Sequence, residues 1–107
     1  MKDIRREIAD KRQLRLNALG YEEGFSVPEE RQQPLTPFAR DGMLICEVKR
    51  SSPSKGRIDE IPSAADQAAL YLKKGAGNVS VLTEPDYFSG SLQDLMDVKS
   101  ACPGLTV

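Results

Sequence analysis

Two charged side chains, Glu47 and Lys49, lie at the end of a short apolar stretch, MLICEV (43–48), which is typical of a strand. Because side chains alternate across a strand, Ile45, Glu47 and Lys49 share one face. Ligands bind at the carboxyl ends of strands in open α/β sheets and in β/α barrels. A carboxylate beside an ammonium there could act as an acid–base pair. A structural ion pair, or a strand that runs out into solvent, would give the same pattern.

The loop that follows this strand, KRSSPSKG (49–56), combines three cationic side chains with three serines and a glycine. Backbone N–H groups, hydroxyls and ammonium groups in one small loop can bind an oxyanion such as a phosphate or a carboxylate. The GxxxxGK[ST] pattern of a P-loop is absent. An ordinary solvated basic loop has the same composition, so the pattern leaves both interpretations open.

A second loop, EPDYFSG (84–90), carries two neighbouring aromatic residues, Tyr87 and Phe88, after another predicted strand. An exposed aromatic ring at the end of a strand could stack on a planar ligand. A phenylalanine packed beneath its own loop is the alternative.

The cysteines and the N-terminus favour a cytoplasmic protein. The sequence MKDIRREIADKRQ alternates charges and lacks the apolar segment of a secretory signal. No run approaches the ~18 apolar residues of a membrane-spanning helix, so we expect no membrane contact. Cys46 and Cys102 are therefore expected to be free thiols that act as small apolar side chains.

The composition excludes several kinds of site. The chain has no histidine, so a histidine triad, a histidine metal site and a histidine general base are all ruled out. Fifteen Lys and Arg nearly balance sixteen Asp and Glu, so no global field attracts nucleic acid. Any acid–base chemistry must use Lys, Glu, Asp, Tyr or Cys, and no metal site is predicted.

These residues belong to a chain that alternates strands and helices after a charged N-terminal segment. Residues 1–18 are predicted to be helical, and the proline-rich residues 19–42 are predicted to be a loop. The expected order then follows: strand 43–48, loop 51–62, a helix capped by Ser63, strand 78–83, loop 84–90, a helix capped by Ser91 and a third strand from residue 105.

The helices should each bury an apolar face. For the first of the two, the predicted inward residues are Ala65, Ala68, Ala69 and Leu72. For the second they are Leu92, Leu95 and Met96, with Asp94 completing a weak capping box. In the first strand, the face opposite Glu47 should pack beneath helices: Leu44, Cys46 and Val48. Alternation of this kind favours an α/β fold with a parallel sheet and right-handed crossovers.

Two motifs together resemble indole-3-glycerol phosphate synthase of tryptophan biosynthesis. The family's E-x-K-x-x-S-P-S-x-G signature is met at residues 47–56, within CEVKRSSPSKG. Its S-V-L-T-E segment, followed by F-x-G-S, is met at residues 80–84 and 88–91. The resemblance is strong over residues 43–107 and only general over the N-terminal helix and linker.

The resemblance implies the N-terminal part of a (β/α)₈ barrel, preceded by an extra helix and loop in residues 1–42. It implies a lyase that closes and decarboxylates a phosphorylated small molecule, 1-(2-carboxyphenylamino)-1-deoxyribulose 5-phosphate, without a metal or organic cofactor. By the same resemblance Glu47 and Lys49 are catalytic. Ser52 and Pro53 would line the substrate site, and Phe88 would pack against the anthranilate ring.

The length then suggests an incomplete domain. A barrel of this type needs about 250 residues, and residues 43–107 hold two strands and the start of a third. The resemblance implies a general-acid lysine after the third strand, near where the chain stops. We therefore expect a piece that is inactive alone and whose sheet edge drives self-association unless the rest of the barrel covers it.

Two alternatives remain open from the sequence. One is a small anion-binding or interaction module derived from the barrel, which would use the loop after the first strand. The other is a different phosphate-binding barrel, such as phosphoribosylanthranilate isomerase, although the signature at residues 47–56 argues against it.

Overall fold

The structure is a computed structural model that describes residues 2–38, 43–58 and 63–107. Its described residues fall into two compact units, Met1–Gln32 and Gln33–Val107. The predicted division at residue 42 lies outside the described residues and stays a prediction.

The first unit consists of one helix and the turn that follows it. Helix α1 spans Ile4–Leu19, which confirms the helix predicted for residues 1–18. Asp3 caps it by accepting a hydrogen bond from the Arg5 backbone N–H, 3.1 Å away. No residue of α1, all of which is described, is buried. The Arg12 guanidinium instead makes a two-point ion pair with Glu23, at 2.6 and 3.0 Å, so a polar contact fixes the turn against the helix.

The second unit is built on a parallel strand pair. Strand β1 (Ile45–Val48) lies parallel to a strand of residues Asn78–Val81, with Glu47 opposite Ser80. A parallel bridge from Asn78 to Thr106 adds the start of a third strand, as predicted. Thr106 also donates a hydrogen bond from its hydroxyl to the Pro37 carbonyl, 2.8 Å away. The described residues thus form an open parallel α/β arrangement and not a closed barrel.

The segment 51–62 was predicted to be a loop, and that prediction is wrong for part of it. Strands β2 (Ser51–Ser52) and β3 (Gly56–Arg57) pair antiparallel in a small hairpin. Gly56 has a φ of 66°, a conformation that favours glycine and lets the chain reverse after Pro53. Residues 59–62 of the predicted loop lie outside the described residues.

Two helices cover one side of the pair, and their N-termini are as predicted. Helix α2 spans Ala64–Lys73, and the strand Asn78–Val81 that follows it is β4; helix α3 spans Leu92–Ala101. Ser63 Oγ accepts a hydrogen bond from the Asp66 N–H, and Ser91 Oγ accepts one from the Asp94 N–H. Both are the N-cap bonds that stabilise a helix start by about 1 kcal/mol.

The predicted inward face of α2 is wrong for Ala69 and Leu72, which are exposed, while Ala68 is buried and Ala65 is half-buried. The buried residues are Ala64 and Ala68, with Tyr71 partly buried against the core, whereas Leu72 is 44% exposed. These three residues follow the i, i+4, i+7 spacing of one helix face. The side chain of Tyr71 decides the face, because its hydroxyl donates to the Glu47 carbonyl of β1 at 2.7 Å.

The predicted face of α3 is wrong for Met96, whereas Leu92 and Leu95 are half-buried. Asp94 and Val98 are buried with Cys102 beyond the helix end, while Met96 is 41% exposed. The inward row therefore begins with a carboxylate, because Arg50 reaches it from the segment after β1.

Small side chains form the core around the sheet: Val48, Ala64, Ala68, Val79, Val98, Cys102 and Leu105. In β1, burial of Val48 confirms that its face packs beneath the helices. The prediction fails for Leu44, which precedes β1 and is 66% exposed. No helix among the described residues is both long enough and apolar enough to cross a membrane.

Replacing Gly90 with alanine should lower the free energy of unfolding by about 1–3 kcal/mol. A Cβ at this position would overlap the carbonyl oxygen of Leu82, and backbone cannot move aside as a side chain can. Urea unfolding followed by circular dichroism measures the loss. Gly104→Ala is the control, since nothing lies within 4 Å of its Cβ position. An equal loss in both variants would contradict the close approach.

Candidate functional site

The carboxyl end of β1 brings Glu47 and Lys49 together. Lys49 Nζ lies 3.0 Å from Glu47 Oε1, and the two side chains are 34% and 46% exposed, respectively. Glu47 lies in β1 and Lys49 directly follows the strand, and residues two apart along an extended chain project to the same side. The pair is accessible to a ligand and joins a cation, which can hold an anion, to a carboxylate that can accept a proton or hydrogen bond.

The hairpin β2–β3 carries the next two predicted site residues. Ser52 Oγ accepts a hydrogen bond from the Lys55 backbone N–H at 3.2 Å, which closes the turn. Pro53 is exposed in that turn. The structure therefore gives Ser52 a role in shaping the turn, and its contact with a ligand stays a prediction.

The loop of residues 84–90, which carries Phe88, is organised by one carboxylate. Glu84 accepts hydrogen bonds from three successive backbone N–H groups, those of Asp86, Tyr87 and Phe88, at 2.8, 2.7 and 3.2 Å. Backbone donors aimed at one anionic acceptor make strong, charge-assisted bonds. Phe88 is half-buried, and its backbone N–H is one of the three that Glu84 holds.

Two contacts join the hairpin to this loop and to α3. Ser51 Oγ donates to the Tyr87 carbonyl at 2.8 Å and lies 2.8 Å from Ser89 Oγ. Arg50 forms an ion pair with the buried Asp94. The residue after Lys49 is thus fixed to a helix, which restricts where the Lys49 backbone can move.

A cavity of about 520 Å³ opens between the hairpin and the loop of residues 84–90. Its polar lining comes from two arginines and three serines: Arg50, Arg57, Ser51, Ser52 and Ser89. Of the five predicted site residues, all within the described part of the chain, only Ser52 lines this cavity. The structure thus pairs Glu47 with Lys49 and places Ser52 beside a separate basic cavity.

The predicted structural cysteines are both free thiols, with Cys102 buried and Cys46 partly buried. Among the described residues, no group of three or more acidic or cysteine side chains is placed to hold a metal ion.

Sequence reasoning missed the residues that hold the site in place: Arg50, Asp94, Glu84 and Ser89. Asp94 carried a usable signal, because it begins an otherwise apolar row at 94, 98 and 102, and a buried carboxylate requires a cation. Glu84 carried a weaker one, as an acidic residue at the start of a loop can accept from the backbone N–H groups that follow.

The comparison with known proteins agrees with the two motifs. A sequence model of the family described as indole-3-glycerol phosphate synthase matches residues 2–107. The chain belongs to this family. The match includes α1, a segment whose sequence by itself shows only a general resemblance to the family.

Several relatives carry the same name or a related one. The indole-3-glycerol phosphate synthase of Ruminiclostridium cellulolyticum is 44% identical over 103 residues, which is 87% of this chain and 40% of that protein. A multifunctional tryptophan biosynthesis protein of Phycomyces blakesleeanus is 58% identical over 60 residues, 56% of this chain and 8% of that protein. The synthase of Aquifex aeolicus is 50% identical over 58 residues, 54% of this chain and 22% of that protein. The chain therefore spans less than half the length of these relatives.

Replacing Asp94 with asparagine should lower the free energy of unfolding by about 1–3 kcal/mol, because the partly buried Arg50 guanidinium loses its charged partner. Thermal unfolding measures it. Asp97→Asn is the matched control on the same helix, since Asp97 is exposed and bonds only to Gln93 among the contacts seen. Equal effects of both substitutions would show that the ion pair adds nothing to stability.

Replacing Glu84 with alanine should loosen the loop of residues 84–90 locally. Three backbone N–H groups lose their acceptor, so amide hydrogen exchange at residues 86–88 should become at least about tenfold faster. Glu84→Gln keeps one side-chain oxygen as an acceptor, so its exchange rates at these amides should lie between those of the parent chain and those of the alanine variant. Unchanged exchange at Phe88 in the alanine variant would contradict this role of the carboxylate.

Proposed function

We propose that this chain supplies the first-strand part of the active site of an indole-3-glycerol phosphate synthase. The reaction closes and decarboxylates 1-(2-carboxyphenylamino)-1-deoxyribulose 5-phosphate, with loss of CO₂ and water. The observation that carries the proposal is the Lys49–Glu47 pair, 3.0 Å apart at the carboxyl end of β1, inside the family's signature. The enzyme class proposed is a carboxy-lyase that needs no metal or organic cofactor.

The charges of the pair suit this chemistry. Ring closure onto the ketone carbon places negative charge on the ketone oxygen, and a nearby cation lowers the energy of that state. The Lys49 ammonium, held by Glu47, would bind an anionic part of the substrate and assist closure. Glu47 would position the reacting groups by its hydrogen bonds. The absence of histidine is compatible with acid–base work by lysine and glutamate.

The remaining predicted contacts are proposed from the family resemblance. Ser52 and Pro53 would line the substrate site, and Phe88 would pack its ring against the anthranilate ring. The Glu84 bonds to the backbone at residues 86–88 support a fixed position for that phenylalanine.

We further propose that these 107 residues do not catalyse the reaction alone. They span 40% of the Ruminiclostridium relative, and the family resemblance implies a general acid after the third strand. Removing a general acid costs about 10²–10⁴-fold in rate. Leu44 and Ile45 are exposed apolar residues at the sheet. Their exposure supports the proposal that a second copy of the chain, or the rest of a barrel, covers this part of the sheet. The cytoplasm is the proposed compartment.

A chimera tests the roles of the pair. Residues 2–107 would replace the matching part of the Ruminiclostridium enzyme, and formation of indole-3-glycerol phosphate would be measured. We expect turnover in the chimera and a loss of about 10²–10⁴-fold in turnover with Lys49→Ala. Glu47→Gln should also reduce turnover.

Lys55→Ala provides the control, since it removes an exposed lysine from the hairpin turn and should leave turnover unchanged. Full turnover in the Lys49→Ala chimera would refute the assigned role. The isolated chain is assayed in parallel, and turnover there near that of the chimera would refute the proposal that it is inactive alone.

A further inference from the structure

The cavity between the hairpin β2–β3 and the loop of residues 84–90 is not explained by the proposed lyase pair. Glu47 and Lys49, both in the described part of the chain, do not line it. Its lining includes two arginines, three serines and Tyr87, and no acidic residue of the described part of the chain joins them. Such a lining has several hydrogen-bond donors and a net positive charge, which is the chemistry that recognises oxyanions.

The strand register explains why these groups meet. Ser51 lies directly opposite Arg57 in the antiparallel hairpin, and directly opposed residues project to the same side. The hydroxyl of Ser51 lies against Ser89 and the Tyr87 carbonyl, so that side faces the loop of residues 84–90. Arg57 is therefore brought to the same opening as the serine hydroxyls.

The two arginines differ in what holds them. Arg50 is neutralised by Asp94. Arg57 is exposed and has no ion-pair or hydrogen-bond partner for its guanidinium among the described residues. Lys49, the other cation that follows β1, is bound to Glu47. Arg57 is thus the cation at this opening whose planar set of donors is available to a ligand.

Ser89 is held at this opening in an unusual backbone conformation. Its φ is 54°, in the left-handed region that non-glycine residues seldom adopt. The bond between its hydroxyl and Ser51 fixes the direction of its side chain. Residues held in this way cluster at ligand sites, because the surrounding contacts must compensate for the strain.

We propose that this cavity binds the phosphate or carboxylate group of a small molecule. The Arg57 guanidinium is its main ligand, with the hydroxyls of Ser52 and Ser89 beside it. The site does not include Glu47 or Lys49, but it shares Ser52 with the residues proposed above to line the lyase substrate site. Arg57 lies outside the signature of residues 47–56, whereas Arg50, Ser51, Ser52 and Gly56 lie within it.

Titration of the isotope-labelled 107-residue chain with inorganic phosphate, followed by NMR at constant ionic strength, tests the proposal. A second titration uses benzoate, and the comparison shows which oxyanion geometry the site prefers. We expect saturable shifts in the millimolar range at the amides of Ser52, Arg57 and Ser89. Arg57→Gln should weaken binding at least about tenfold, since a charge-assisted hydrogen bond is lost.

Two control variants remove one positive charge each, as Arg57→Gln does, and so separate binding at Arg57 from general charge attraction. Lys55→Gln removes a cation from the same hairpin but not from the cavity, and it should leave binding unchanged. Lys49→Gln should also leave these shifts unchanged, whatever it does to catalysis. An equal loss in Lys55→Gln would show diffuse attraction to a basic hairpin and overturn the proposal.

Shifts that centre on residues 47–49 and disappear in Lys49→Gln would overturn it as well, by assigning the anion to the catalytic pair. Shifts that rise linearly without saturation with both anions would show that no site exists. The amide spectra of the variants serve to show that each is folded as the parent chain is.

Discussion

The parallel pairing of β1 with β4 is the constraint on which the rest of the second unit depends. Because Glu47 lies opposite Ser80 and both strands run the same way, the segments that follow them leave the sheet at one edge. This brings the hairpin after β1 beside the loop after β4, although they lie more than thirty positions apart in sequence. The bonds of Ser51 to Tyr87 and Ser89 follow from that proximity. An antiparallel pair would have sent the two segments to opposite ends.

Helices α2 and α3 are joined to this edge by polar contacts as well as by a core of small apolar side chains. The core consists mainly of alanine and valine side chains, which bury little area each. Tyr71 instead bonds to the Glu47 carbonyl, and Asp94 binds Arg50. Both anchors act within two residues of Lys49. The Glu47–Lys49 pair therefore takes its position from α2 and α3 as well as from its own strand.

Local patterns were sufficient to predict the helices and the parallel strands, but not the short hairpin or the faces that the helices bury. Ser63 and Ser91 cap helices through bonds to the residue three positions later. The local sequence is therefore enough to predict where each helix begins. The inward face of α3 depends instead on Arg50, forty-four positions away, which no helical periodicity can reveal. The hairpin was missed for a related reason: its strands have two residues each, too short for an alternation to be visible. The cavity beside it depends on that hairpin and was unpredictable with it.

The cations that follow β1 differ in their availability, and this difference bears on function. Adjacent in sequence, Lys49 and Arg50 looked equivalent as parts of one basic loop, yet each has its own carboxylate, Glu47 and Asp94. The first pair is about one-third to one-half exposed and can exchange its partner for a ligand at modest cost, because water already screens it. The second is largely buried, and separating it would leave an uncompensated charge. A ligand contact is therefore easier at Lys49 than at Arg50, and Arg57 is the cation proposed to bind an anion in the cavity beside the hairpin.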